Sequence, residues 1–317
     1  ADIQLFNSLN LTVDAFREIR SNILTTKGSI PNYLGAAKTV IYGNFAKVKN
    51  WGVDLAVDYG KQINRDLSIQ FKGTFTFARN RVMETDEAAD IRPALSAVGK
   101  PLNTLWGYVA DGLYIDEAGI ANNPTSTLGN ITIAAGDVKY VDQPDVNGNY
   151  DGQIDSDDRV AIGHPTIPEI IYGFGPSITW KKWDFSVFFQ GQANVSLMMS
   201  GFEPFGTQSK NNVLEWIAED YWSKENQNPN AKYPRLTKYN NNNNMQSSTY
   251  WLRNAAFLKL KNAEVGYNFK WGRVYMSGTN LLTFSPFKLW DPEMGGGKGM
   301  AYPTQRTFNL GVQITFK

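Results

Sequence analysis

The chain has 317 residues, with 31 basic and 30 acidic side chains, one histidine and no cysteine. A net charge of +1 gives no reason to expect nucleic acid or an acidic partner, and the missing cysteine excludes disulfides and thiolate chemistry. With a single histidine, zinc sites and Cys/His nucleophile pairs are not expected either.

Aromatic residues make up 13% of the chain, and no apolar run reaches the roughly 18 residues of a membrane-spanning helix. The chain opens at Ala1, without methionine or a signal peptide, and reads as a mature chain, a processed piece or a fragment.

Strict alternation of apolar and polar residues predicts strands. The first runs from Ser8 to about Ile19, with Leu9, Leu11, Val13 and Ala15 on one face and Asn10, Thr12 and Asp14 on the other. Phe45–Tyr59 and Leu67–Arg79 follow the same rule, the second with Leu67, Ile69, Phe71, Phe75 and Phe77 on its apolar side. Further strands are predicted over Ile170–Trp180, Trp183–Val195, Tyr250–Phe269 and Trp271–Phe284. The eighth closes the chain over Thr304–Lys317, with Phe308, Leu310, Val312, Ile314 and Phe316 facing one way and Asn309, Gly311, Gln313 and Thr315 the other.

The links sort by length. Short links follow the second, fourth and sixth strands (60–66, 181–182 and about 270), and long ones lie at 20–44, 80–169, 196–249 and 285–303. Transmembrane barrels have this asymmetry, with short periplasmic turns and long extracellular loops. The aromatic residues beside the short turns (Tyr59, Trp180, Trp183, Phe269, Trp271) suit an interfacial girdle, and the closing strand then ends in the periplasm. The inward faces are small and polar, too small to fill an eight-stranded barrel. The fold class is therefore all-β: a transmembrane antiparallel β-barrel, seen as one arc of a wider barrel. An open arc leaves backbone groups unpaired in lipid, so further strands are expected from chain outside this sequence.

Within loop 80–169, Leu102–Tyr114 reads as a further extended piece. Segment 145–159 has an EF-hand-like register. Counting back from Gly152 puts Asn147, Asn149 and Asp151 at positions 1, 3 and 5, Gln153 offers its carbonyl, Ile154 anchors, and Asp155 and Asp158 stand at 9 and 12. Asp145 is the alternative first ligand. Alternating hard oxygen donors suit Ca²⁺ and, less well, Mg²⁺; the competing reading is a solvated Asn/Asp/Gly turn cluster. His164 is read as a surface residue. In loop 196–249, Asn211–Trp222 is predicted as a short amphipathic helix, and Asn240–Asn244 as a mobile low-complexity run. Trp216, Tyr221, Trp222 and Trp290 stand at loop tips, where they would either stack on sugars or peptide side chains or pack the loops together.

These pieces, in this order, resemble a SusC/RagA-type TonB-dependent outer-membrane transporter, in the C-terminal part of its barrel. The resemblance rests on FAKVKNWGVDL at Phe45–Leu55, GYVADGLY at Gly107–Tyr114, GDVKY at Gly136–Tyr140 and the Asp145–Gly163 loop. It continues with YGFG at Tyr172–Gly175, PNAKYPR at Pro229–Arg235, YWLRNAAFLKLKN at Tyr250–Asn262, NLL at Asn280–Leu282 and DPE at Asp291–Glu293. The resemblance implies a barrel of about 22 strands with an N-terminal plug that is absent from this sequence. It also implies TonB-dependent import of a large nutrient, glycan or peptide, with a SusD-like surface lipoprotein as partner, and no enzymatic activity. The alternatives are an accessory barrel of the same family that scaffolds a surface complex without transport and, more distant, a soluble β-rich carbohydrate-binding module or hydrolase.

Overall fold

The computed structural model describes residues 1–29, 41–88, 91–201 and 212–316. Nine strands form one antiparallel sheet in chain order. They are β1 (Asp2–Leu5), β2 (Leu9–Thr26), β3 (Tyr42–Gln62), β4 (Leu67–Glu84), β5 (Ile170–Trp180), β6 (Trp183–Ala193), β7 (Phe257–Phe269), β8 (Gly272–Phe284) and β9 (Thr307–Ile314). The sequence count of eight gains one because Asp2–Leu5 folds back on β2 through Phe6 and Asn7, whose φ angles of 52° and 50° are those of a type I′ hairpin turn.

A strand's period of two places its apolar residues on one face; the register decides whether neighbouring strands agree. Here they do. One row across the sheet reads Ile69, Ile178, Phe185, Val265, Met276, Leu310. The next reads Leu67, Trp180, Trp183, Tyr267, Val274, Val312, and another links Leu9, Tyr59, Phe71 and Pro176. The opposite face is small and polar: Gln70, Ser177, Ser186, Glu264, Ser277, Asn309 in one row, and Ser68, Thr179, Asp184, Gly266, Tyr275, Gly311 in the next. A sheet with a whole apolar face exposed and a polar face behind it is the wall of a transmembrane β-barrel, with lipid on one side and lumen on the other. A soluble module has no use for such a face, and that alternative falls away. No helix among the described residues is long and apolar enough to cross a membrane, so any crossing is made by strands.

The turns at 6–8, 63–66, 181–182 and 270–271 all lie at one end of the sheet, and the long connections at the other. At the short-turn end Trp183 meets Tyr267 edge-on at 4.9 Å, and Lys181 lies over Trp180. β2, β3 and β4 have 18, 21 and 18 residues, against 11 each for β5 and β6. A crossing needs roughly 9–11 residues. The first three strands therefore rise beyond the apolar band, and their upper halves carry charge, as in the Lys47–Glu84 pair at 3.1 Å.

The long connections have cores of their own. One gathers Val195, Leu197, Met199, Ile217, Tyr233, Trp251, Ala255 and Phe287, and the other Tyr108, Leu113, Val138, Tyr140, Ile154, Trp222 and Ala231. This corrects the strand predicted over Tyr250–Phe269. Trp251 enters the loop core, Leu252–Asn254 pairs with Ser196–Met198, and the wall strand begins only at Phe257. The predicted extended piece at Leu102–Tyr114 is two short strands, Leu105–Gly107 and Ala110–Leu113, paired with Val160–Ile162 and Val138–Tyr140. The helix predicted at Asn211–Trp222 is shorter, Glu215–Glu219, with Ile217 as its buried residue; Asn211 lies outside the described residues.

Candidate functional site

Two surfaces bear chemistry, the polar face of the wall and the body formed by the long loops. On the wall, Arg273 of β8 donates to both Asp184 of β6 and Glu264 of β7, and Asn268 donates to Asp184 at 2.8 Å. The arginine lies across Gly266, where an added Cβ would stand 2.5 Å from a guanidinium nitrogen. Its guanidinium also stacks on Tyr275 at 4.8 Å, and that ring covers Gly311 so closely that a Cβ there would be 2.3 Å from the ring. The glycines are what let long side chains lie flat on the wall instead of filling the lumen. Thr76 donates to Asp54 at 2.7 Å and Lys72 stands 3.7 Å from Asp58, so this face offers charges held in pairs.

In the loop body the organising group is Asp137, wholly buried. It receives two hydrogen bonds from Arg235 (2.7 and 2.9 Å), one each from Asn241 and Asn244 (both 2.9 Å), and the Ala134 N–H. Asn244 accepts from the Val138 N–H, Asn243 donates to the Val138 carbonyl, and the Tyr140 hydroxyl donates to the Asn243 carbonyl. Asn241, Asn243 and Asn244, in the run read as mobile, are thus buried and bonded. They clamp the connection between β4 and β5 to that between β6 and β7. Asparagine carries both donors and acceptors, so a run of them can satisfy buried backbone on two sides.

A second ionic tie joins the last long connection to the wall. Lys259 of β7, fully buried, pairs with Asp291 and Glu293, and Lys261 reaches Glu293 at 3.3 Å.

The residues expected at the cation loop separate into two sets. Asn147 and Asn149 lie on an exposed turn closed by Asp145, whose carboxylate accepts both their N–H groups at 2.7 and 2.9 Å. The N–H groups of Asn149 and Asn147 hold the Asp145 carboxyl below its usual range. Asp151 and Asp155 cap the N–H groups of Gln153 and Asp157 at 2.9 and 2.8 Å. Asp158 is buried, accepts from Gln143 and Asp155, and is pushed up by desolvation. Gln153 is exposed and Ile154 is anchored in the second loop core. Among the described residues no three His, Cys, Asp or Glu side chains meet in a ligand set.

The aromatic residues at the predicted loop tips all pack against the loop cores. Trp216 meets Tyr233 edge-on at 6.0 Å, Tyr221 and Trp290 lean on the first loop core, and Trp222 is buried in the second. Trp290 also donates to the Gly295 carbonyl at 3.0 Å. Trp216, Tyr221 and Trp290 keep part of their surface exposed, whereas Trp222 does not.

No family model matches the chain. The TonB-dependent receptor P3 of Formosa agariphila is 24% identical over 351 residues, covering 99% of this chain and 33% of the receptor. The TonB-dependent receptor SusC of Bacteroides thetaiotaomicron is 22% identical over 293 residues, covering 86% of this chain and 27% of SusC. The chain thus spans about a third or less of these relatives' length. Among solved structures, the RagAB peptide transporter superposes with a TM-score of 0.70 at 23% identity, over 98% of this chain and 34% of the transporter chain.

Proposed function

We propose, from the premise that this chain is a barrel segment of a SusC/RagA-type TonB-dependent receptor, that the protein carrying it imports a large nutrient across the outer membrane. The cargo class is a glycan or peptide, the energy comes through TonB, and a SusD-like surface lipoprotein sits over the loop body. The observation that carries this reading is the pairing of an apolar face, in register across the sheet, with a small polar wall whose long side chains lie flat over glycines. Such a wall leaves a wide lumen open, which a cargo path or a plug requires. In this reading the short-turn end is periplasmic and β9 ends there. The partly exposed rings of Trp216, Tyr221 and Trp290 meet cargo or lid, and Trp222 only packs.

The test is to purify the full-length receptor from its native outer membrane and measure cargo uptake with and without TonB. A co-purifying surface lipoprotein and uptake that stops without TonB support the importer. A stable lipoprotein complex with no TonB-dependent uptake overturns it in favour of a scaffolding barrel.

A further inference from the structure

The cation loop carries a feature that its sequence register misses. Asp142, upstream of the expected ligands, is 7% exposed, and its Oδ2 accepts the Gly152 N–H at 2.9 Å. Its Oδ1 is buried and, among the described residues, has no hydrogen-bond partner. Asp158 is 2% exposed and takes the N–H groups of Gln143 and Asp155, both at 2.7 Å. Among the described residues neither carboxylate belongs to an ion pair; the nearby Arg92 pairs instead with Asp157 at 3.2 Å and Asp151 at 3.9 Å. Two neighbouring buried carboxylates without a counter-charge are costly to keep ionised, and a buried oxygen without a donor adds to that cost.

We infer that Asp142 and Asp158 are the paired carboxylates of a hard divalent-cation site of Ca²⁺ type, with Asp142 in the first ligand position in place of Asn147. The surroundings agree. Gly152 has φ +75°, the left-handed turn such a loop needs, and Ile154 at 1% exposure pins its far side. The segment around Asp145–Asn149 closes on itself through the Asp145 N–H to Asn149 carbonyl bond at 2.8 Å. It is an excursion that leaves Asp142 and Gly152 adjacent. An open cleft lined by Asn123, Lys139, Tyr140, Asp142, Tyr150 and Gly152 gives access, and the lysine in it is paired with Asp111. With two carboxylates the site is neutral when filled, and main-chain carbonyls and water complete the coordination. That points to an affinity in the weak range of extracellular Ca²⁺ modules, roughly 10⁻⁴ to 10⁻³ M.

The inference is independent of what the barrel transports. The experiment uses the full-length receptor in detergent at neutral pH, stripped with chelator and titrated with CaCl₂. Protease cleavage within 142–159 is located by mass spectrometry, and Tb³⁺ luminescence gives a second readout. The parent should gain saturable protection of this segment, with Tb³⁺ displaced by Ca²⁺. Asp142→Asn, nearly isosteric and still able to accept the Gly152 N–H, should weaken binding at least tenfold. Asn147→Ala should leave it unchanged. Absence of Ca²⁺-dependent protection in the parent overturns the site without reference to any variant. Protection in the parent brought by acid alone, or unaltered binding in Asp142→Asn, overturns it as well.

Discussion

Lys259 Nζ lies 2.6 and 2.7 Å from the two carboxylate oxygens of Asp291, and the lysine has no exposed surface. The pair joins a wall strand to the connection between β8 and β9, and Thr304 donates to the same aspartate. Removing one partner of a buried pair strands the other charge. Lys259→Met is therefore expected to destabilise this connection by about 3–5 kcal/mol. Replacing the aspartate as well, Lys259→Met with Asp291→Leu, should recover part of that loss, with Glu293 left to Lys261. Protease release of residues 285–306 from the full receptor, compared across the two variants, checks this.

The same tie has an acid limit. Burial works against ionisation of Asp291, but the hydrogen bonds from Lys259 and Thr304 outweigh it and hold the carboxyl below its ordinary 3.8. A depressed carboxyl stabilises the fold above its unfolded value, and that stabilisation is lost as pH falls through the lowered one. Pepsin cleavage in 285–306 should therefore rise as pH drops through and below about 4. In Lys259→Met the connection should be cleaved readily at every pH, with no acid step.

Val312 and Gln313 are neighbours in β9 with opposite duties. Val312 stands in the apolar row with Val274 and Tyr267, and Gln313 opposite Arg273 on the polar face. The apolar row also holds Trp180 and Trp183 beside a short turn, near the interface, so Val312→Arg should cost about 1 kcal/mol, and Gln313→Arg less. Urea unfolding of the receptor refolded into lipid vesicles measures both. Equal tolerance would mean that the faces are wrongly assigned.

Asn244 and Asn242 belong to one run yet differ in kind. Asn244 is 1% exposed and bonds Val138 and Asp137, whereas Asn242 is exposed. Asn244→Ala leaves a buried N–H and part of a buried carboxylate unmet, at about 1–3 kcal/mol. Asn242→Ala should stay within about 0.5 kcal/mol, as surface changes do. Hydrogen exchange at Val138 separates them: faster in the first variant, unchanged in the second.

The wall was legible in the sequence because lipid enforces the alternation. Leu310, Val312 and Ile314 have one side to face, and nothing else competes for them. Where two cores compete, the pattern fails. Trp251 looks like the start of a strand and is drawn instead into the loop body by Tyr233 and Tyr250, both in edge contact with it. Asn240–Asn244 reads as solvent-loving by composition, but the burial of Asn241, Asn243 and Asn244 depends on Asp137 and Val138, about a hundred residues away, and no local signal reports that distance. For the proposed cation site, counting back from Gly152 finds the first ligand only if no excursion intervenes. Asp145 capping Asn147 and Asn149 is such an excursion, and it hides Asp142 from the count.

The four short turns also bear on how the wall comes to exist. β1–β2, β3–β4, β5–β6 and β7–β8 each close through a handful of residues, so their registers can form early and at low entropic cost. The pairings between these hairpins must wait for long chains to close. The hairpin is thus the natural quantum of assembly, zipped from its turn upward. The loop bodies lock neighbouring hairpins together at the far end, as Asn241 and Asn244 do through Asp137.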